Sequence, residues 1–288
     1  MSKSRCRVCG SAAQFIGTKN GAAKSFDISY CSNCGFTQVD NPREDFADIY
    51  NEEYYRGQGT DEKVHYVYEL EHPEKTIRFY ELSGIIDAVQ YLKPGGGGKW
   101  LDYGCGNGAL VRECRRRGID AIGYERGWIT RLAESKGIPV VESFQQFAPA
   151  SFDVITATGV LEHVVNPIET LLEIRRLLKP GGLFFYETGN AAPQRGKILK
   201  WEYLRPDIHI SLYEPRTLEY ALERTGFESR FAGFIPGFVN IIRFMVLKNL
   251  GFINRSIFEK LLPWFFISRL VNRIYHVTDH PVAYAKKG

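Results

Sequence analysis

The chain predicts a doubly wound α/β sheet preceded by a small cysteine-bearing element, on three observations. From Lys99 onward short apolar runs alternate with helical patterns, the first of those runs opens into a glycine-rich turn, and two matching CxxC pairs occupy the first 34 residues. The 288 residues are 44% hydrophobic and 24% charged, a globular balance with enough apolar material to build a core without disulfides. A net charge of +4 gives no chain-wide basic field, so nucleic acid is not an expected partner. The opening MSKSRCRVCG lacks an apolar run, and no segment reaches the roughly 18 apolar residues of a membrane span. The expectation is a cytoplasmic protein whose six cysteines are metal ligands or reduced thiols.

Residues 1–40 hold the two knuckles, Cys6-Arg-Val-Cys9-Gly10 and Cys31-Ser-Asn-Cys34-Gly35. Each CxxC presents two thiolates to one ion, the following glycine relieves backbone crowding, and two such turns close a tetrahedral four-sulfur site. With no position left for water or substrate, Cys6, Cys9, Cys31 and Cys34 are expected to hold a structural zinc.

Residues 41–98 differ in character. Across 40–90 thirteen acidic side chains face five basic ones, a local charge of −8, and tyrosines recur at 50, 54, 55, 66 and 68. Ile77 to Leu92 reads as an amphipathic helix, ended by Pro94 and four glycines.

In the region 99–288, Trp100–Tyr103, Ala121–Glu125, Pro139–Val141, Phe152–Ala157 and Leu183–Thr188 read as buried parallel strands. The clearest helix between them starts at Asn166 as N-cap, with Pro167 at N1 and Glu169 at N3 in a capping-box-like arrangement, and stops at Lys179-Pro180-Gly181-Gly182. The first strand runs into Asp102-Tyr103-Gly104-Cys105-Gly106-Asn107-Gly108, where glycines let backbone approach a ligand at a helix N-terminus. Alone, Gly104, Gly106 and Ala109 also satisfy a dinucleotide pattern. Glu125, ending the next strand, is placed to accept hydrogen bonds from ribose hydroxyls.

Four blocks, LDYGCGNG at 101–108, AIGYE at 121–125, FDVITATGVLEHV at 152–164 and RLLKPGGLFFYET at 176–188, resemble the class I S-adenosylmethionine-dependent methyltransferases in order and spacing. The resemblance covers roughly Lys99 to Gly288 and implies a Rossmann-like seven-stranded sheet, with Phe227–Phe234 as sixth strand and Val282–Ala285 as an antiparallel seventh. It implies S-adenosyl-L-methionine as cofactor, with Asp102 to Gly108 at the methionine end, Glu125 on the ribose, Glu142 and Ser143 flanking the adenine, and Thr158, Gly159 and Leu161 closing the other side. The 41–98 segment would then cover the cofactor site, and Tyr54 and Tyr55 could set a ring face against the sulfonium. A zinc element followed by the DIYNEEYY segment also resembles a wider group that includes sugar C-methyltransferases, which carry a further C-terminal domain that this chain is too short to contain.

An oxygen or carbon acceptor needs somewhere to send its proton, and histidine is the default base near neutral pH. His209, in RPDIHISLY, resembles the base of an EHxxYF stretch, with Ile208 in place of the preceding glutamate and Asp207 as its substitute orienter; His163 is the second candidate. Between the sixth and seventh strands an insertion at 235–278 is aromatic and basic, six Lys/Arg against Glu259 alone. It reads as a helical lid or dimer interface, or as a peripheral membrane contact. The expected activity is methyl transfer to a small-molecule, glycan or lipid-linked acceptor, most simply on oxygen. The alternative is an RNA or protein methyltransferase docking through the zinc element.

Overall fold

The computed structural model describes residues 4–22, 24–58, 65–95, 98–277 and 281–286. Gly96 and Gly97 of the glycine run, Thr278 at the end of the insertion, and His280 lie outside them. From the N-terminus come β1 (Ser4–Arg5), β2 (Ala12–Asn20), β3 (Ser25–Tyr30) and β4 (Thr37–Val39), then α1 (Phe46–Ile49), α2 (Glu52–Tyr55), α3 (Tyr66–Glu71) and α4 (Arg78–Leu92). Next are β5 (Trp100–Tyr103), α5 (Ala109–Arg116), β6 (Ala121–Tyr124), α6 (Trp128–Ser135), β7 (Val140–Val141), β8 (Phe152–Thr158), α7 (Pro167–Leu177) and β9 (Leu178–Glu187). The chain closes with β10 (Ser211–Leu212), α8 (Pro215–Arg224), β11 (Phe227–Phe231), α9 (Phe238–Asn249), α10 (Ile257–Lys260), α11 (Trp264–Tyr275) and β12 (Pro281–Ala285).

Seven strands, β5 to β9 with β11 and β12, make the expected mixed sheet. Two compact units divide the chain: Met1–Ile49 with Phe147–Arg230 and His280–Gly288, and Tyr50–Gln146 with Phe231–Asp279. In the second unit β5, β6 and β7 are parallel neighbours, Trp100 to Tyr103 opposite Ala121 to Tyr124. All four β5 side chains are buried, which is why a run of four suffices to mark the strand. In the first unit β11, β12, β9 and β8 follow in order, β8 parallel to β9 and β12 antiparallel to it as expected, Tyr284 opposite Leu183.

Two expectations around α7 need correction. Asn166 is the N-cap and Pro167 opens the helix as expected, but the Asn166 side chain caps no backbone amide; its Nδ2 donates to Glu169 Oε2 at 3.1 Å, while its carbonyl accepts Thr170 N–H. The Lys179–Gly182 stretch is not a stop outside the strand. Helix α7 ends at Leu177, Leu178 is already extended opposite Phe152, and the register shifts before Val154 pairs with Leu183, so Lys-Pro-Gly-Gly forms an irregularity inside β9.

Residues 4–39 are more strand than loop. β1 to β4 form an antiparallel meander that β10 extends, Ser211 opposite Gln38 and Leu212 opposite Thr37. Its apolar face, Phe26, Ile28 and Val39, shares a core with Ile198, Leu204, Ile210 and Leu212.

In the second unit α4 packs on α9 through glycines. A Cβ on Gly84 would lie 2.6 Å from the Gly237 carbonyl oxygen, and one on Gly237, at φ +96°, would lie 2.2 Å from that of Gly84. Backbone cannot yield there as a flexible side chain can. Gly84→Val is expected to destabilise by about 1–3 kcal/mol, read as a lower urea midpoint; an unchanged midpoint would remove the packing argument.

Candidate functional site

The second unit builds a nucleotide-type cradle. Strand β5 ends at Tyr103 and the chain turns through Gly104, Gly106 and Gly108 at φ +75°, +53° and +73°, a left-handed run that glycine adopts without a Cβ penalty. The Gly104 and Cys105 amides both donate to the Tyr124 carbonyl, tying the loop to the end of β6. Cys105 turns its sulfur inward, where a Cβ on Gly123 would stand 2.4 Å from it, and its carbonyl accepts Gly108 N–H at 2.9 Å, so its polar groups hold the turn itself. Asn107 holds the other side: Oδ1 accepts Ala109 N–H at 3.0 Å, opening α5, while Nδ2 donates to the Tyr66 carbonyl at 2.7 Å.

Glu125 reaches back over the loop. Its Oε2 accepts Gly106 N–H at 2.8 Å and its Oε1 accepts Arg126 N–H at 2.8 Å. Burial pushes its pKa up, against the pull of those two amides. Tyr54 and Tyr55 are buried with Val67 and Ile129, Tyr55 stacked on Trp128 at 6.3 Å. Burial, then the Glu125 charge, raises the Tyr55 hydroxyl pKa, so the ring is a neutral phenol beside the carboxylate. A Cβ on Gly106 would meet nothing within 4 Å, which leaves open space above the turn between carboxylate and glycines. Space above the turn at Gly106, a carboxylate bonding across it and aromatic rings packed beside that carboxylate fit an adenosine-bearing cofactor.

At the ends of β5 and β6, Tyr103, Tyr124 and Phe144 form a ring cluster, Tyr103 stacked on Phe144 at 6.0 Å. Sequence reasoning missed Tyr124 and Phe144; an aromatic at a strand's end and another just past β7 were the available signals. Glu142 and Ser143 precede Phe144, Glu142 accepting the Thr130 hydroxyl at 2.7 Å and Ser143 Oγ accepting Gln145 N–H at 3.2 Å.

The first unit builds a separate polar cluster. Glu162, His163 and His209 bring one carboxylate and two imidazoles within 4.8 Å of one another. His209 Nδ1 lies 2.6 Å from the Tyr203 carbonyl and His163 Nδ1 lies 3.0 Å from the Ile208 carbonyl. A carbonyl only accepts, so each Nδ1 carries a proton, and a neutral ring held this way presents its lone pair at Nε2. The rings meet edge to face at 4.9 Å. Burial, reinforced by His163, pushes His209 down to about 4 against the opposing charge of Glu162, so at neutral pH it is an uncharged imidazole. Burial also pushes Glu162 up, but the two histidines and the Tyr203 hydroxyl outweigh it and hold the carboxyl below the usual range.

A two-histidine, one-carboxylate set can bind a cation or move a proton. Both Glu162 oxygens already accept hydroxyls, Tyr203 at 2.5 Å and Thr188 at 2.8 Å, which favours the proton role. The expected orienter is corrected here. Asp207 Oδ2 receives the Ala22 amide at 2.7 Å, and the Tyr203 carbonyl holds His209 Nδ1 instead. Thr158 ends β8 and Gly159 is exposed at φ +64°, whereas the Leu161 side chain is buried, leaving its carbonyl to accept the Tyr213 hydroxyl at 2.8 Å.

The four knuckle cysteines meet as their spacing implies. Cys6 and Cys34 sulfurs lie 3.6 Å apart, Cys9 and Cys31 3.5 Å, and all four fall within 4.8 Å. Sulfurs at the ~2.3 Å bonds of a tetrahedral zinc stand about 3.8 Å apart. Gly10 and Gly35, both left-handed, donate their amides to the Cys6 and Cys31 carbonyls at 2.9 and 2.8 Å, closing each knuckle. This element grips the His209 strand: Val39 N–H and Arg7 both donate to the Ile210 carbonyl, and Thr217 donates to that of Cys34. Buried Glu214 gathers Tyr30, Arg195 and Arg216.

Residues 75–230 match the family model described as a methyltransferase domain. The chain belongs to that family. The ubiquinone biosynthesis O-methyltransferase of Photorhabdus laumondii is 34% identical over 39% of this chain and 57% of its own length. The protein of the same name from Acinetobacter baylyi is 35% identical over 34% of this chain and 46% of its own length. The methyltransferase-domain chain thus spans about half the length of the curated relatives it matches. A solved phosphoethanolamine N-methyltransferase 2 of Haemonchus contortus covers 95% of this chain and 72% of its own at 14% identity, with a TM-score of 0.48.

Proposed function

We propose that the protein is an S-adenosylmethionine-dependent methyltransferase acting on an oxygen of a small-molecule acceptor. The observation that carries the reading is the cradle of the second unit: Glu125 reaching over a left-handed glycine turn, open above Gly106, with Tyr55 beside the carboxylate and stacked on Trp128. When bound, the cofactor supplies an electrophilic methyl on a sulfonium, and the protein's task is alignment and proton handling. In this reading Glu125 holds the ribose, the Asp102–Gly108 turn faces the methionine end, Tyr103 and Phe144 take the adenine, and Tyr54 and Tyr55 favour the cation.

His209 Nε2 accepts the proton of the acceptor hydroxyl, with its Nδ1–H held on Tyr203 and Glu162 stabilising the imidazolium as it forms. His163 is the supporting ring. A base held near 4 is weak, which suits an acidic hydroxyl, a phenol or enol, more than an alcohol. The relatives' names as O-methyltransferases agree with oxygen as acceptor. Structural zinc at Cys6, Cys9, Cys31 and Cys34 braces the His209 strand.

Glu125→Ala is expected to weaken S-adenosylhomocysteine binding by about 10- to 100-fold, the loss of hydrogen bonds to a charged group at roughly 1.5–3 kcal/mol, measured by titration calorimetry. Unchanged affinity would reject the cradle.

A further inference from the structure

The insertion carries an exposed apolar face that no strand or helix among the described residues of its unit covers. Ile257, Phe258, Leu261, Phe266, Leu270 and Ile274 each leave between 58 and 79% of their surface in solvent. On α11, Phe266, Leu270 and Ile274 follow at intervals of four and make one row, and Phe265, Arg269 and Arg273 make the adjacent row. The helix is anchored on its other side, with Trp264 and Ser268 buried and Ser268 Oγ donating to the Val239 carbonyl at 3.2 Å.

The insertion's charge is equally lopsided. Its one acidic residue, Glu259, is buried. It pairs with Arg243, accepts the Tyr80 hydroxyl at 2.6 Å and gives its carbonyl to Trp264 Nε1 at 2.5 Å. That residue nails α10 and α11 to α9 and α4, and cancels Arg243. Lys248 lies over the Phe244 ring and Arg255 against Phe79 and Tyr80, whereas Lys260, Arg269 and Arg273 are exposed on α10 and α11, so the charge beside the apolar face is of one sign.

We propose that this face docks on an anionic lipid bilayer, α11 lying in the interface with its apolar row at the acyl boundary and Arg269 and Arg273 at the phosphates. Charge selects this occupant. A second copy would set the cationic rims against each other with no exposed carboxylate in the insertion to answer them, whereas an anionic leaflet offers apolar depth and negative charge together. No described helix is long and apolar enough to cross a membrane, in keeping with a surface contact. The inference stands apart from the methyl-transfer reading.

Co-sedimentation of the full chain with vesicles of phosphatidylcholine alone, or with about a third phosphatidylglycerol, tests it. Binding is expected only to the anionic vesicles and to fall with salt. Arg269→Gln with Arg273→Gln should weaken partitioning about 30-fold, at roughly a kilocalorie per basic side chain. Leu261→Asp with Phe266→Asp should abolish it while the melting temperature and S-adenosylhomocysteine affinity stay put, both side chains being exposed. Equal binding to neutral vesicles, no vesicle binding, or a dimer in sedimentation velocity that the aspartate pair dissolves would each overturn the proposal.

Discussion

Replacing His209 by alanine lowers kcat by about 10²- to 10⁴-fold, the span of a general base, while S-adenosylhomocysteine binds as before. The expectation rests on one hydrogen bond and one environment. The Tyr203 carbonyl fixes the proton on Nδ1, so the opposite nitrogen is the acceptor, and burial keeps the ring neutral. With the folded pKa held near 4 rather than 6.5, the acid limb of the kcat/KM profile should lie well below pH 6, and activity should hold from pH 8 down to pH 6. The same shift favours the native state above about pH 6.5 and is lost as pH falls toward 4, because the unfolded chain then binds the proton that the folded ring refuses. His209→Gln, which retains polarity without the base, should be as inactive as alanine. A variant with wild-type kcat, or an acid limb at the free-histidine value that persists in His209→Gln, would reject the assignment.

Cys31→Ser removes one of four sulfurs and is expected to lose a stoichiometric zinc and more than about 4 kcal/mol of stability, the range in which loss of a metal falls. The loss should not stay local. β4 of the cysteine element pairs with β10, Arg7 and Val39 both hold the Ile210 carbonyl, and Phe26 and Ile28 pack on Leu204 and Leu212. His209 sits between Leu204 and β10, so activity should fall with the metal although no cysteine touches the imidazole. Plasma emission spectrometry and thermal unfolding read both effects. A folded, fully active variant without zinc would separate the element from the site.

Local chemistry was readable in the chain, and distant contact was not. The turn at Gly104, Gly106 and Gly108 and the parallel strands β5, β6 and β8 were legible because left-handed glycines and short buried runs are local signals. The knuckles were equally plain, since the CxxC spacing itself brings the sulfurs together. Glu162 beside His163 is plain in the chain, but the hydroxyls that hold its carboxylate were not legible, because Thr188 and Tyr203 lie 26 and 41 residues away. The pairing of β4 with β10 joins residues more than 170 apart and left no periodicity to find. Glu259 read as a stray acid in a basic insertion; only packing reveals it as the buried nail. The Lys-Pro-Gly-Gly stretch misled because these residues end helices as readily as they loop out of strands.

Methyl transfer from S-adenosylmethionine to an acidic oxygen is the activity proposed for this chain. The most direct measurement gives the purified protein methyl-labelled S-adenosylmethionine with catechol or with a hexose, and follows label into each by mass spectrometry. O-methylated catechol is expected, with little labelled hexose and loss of the product with His209→Ala. Bound S-adenosylhomocysteine with no labelled catechol, or catechol methylated equally by His209→Ala, would contradict it.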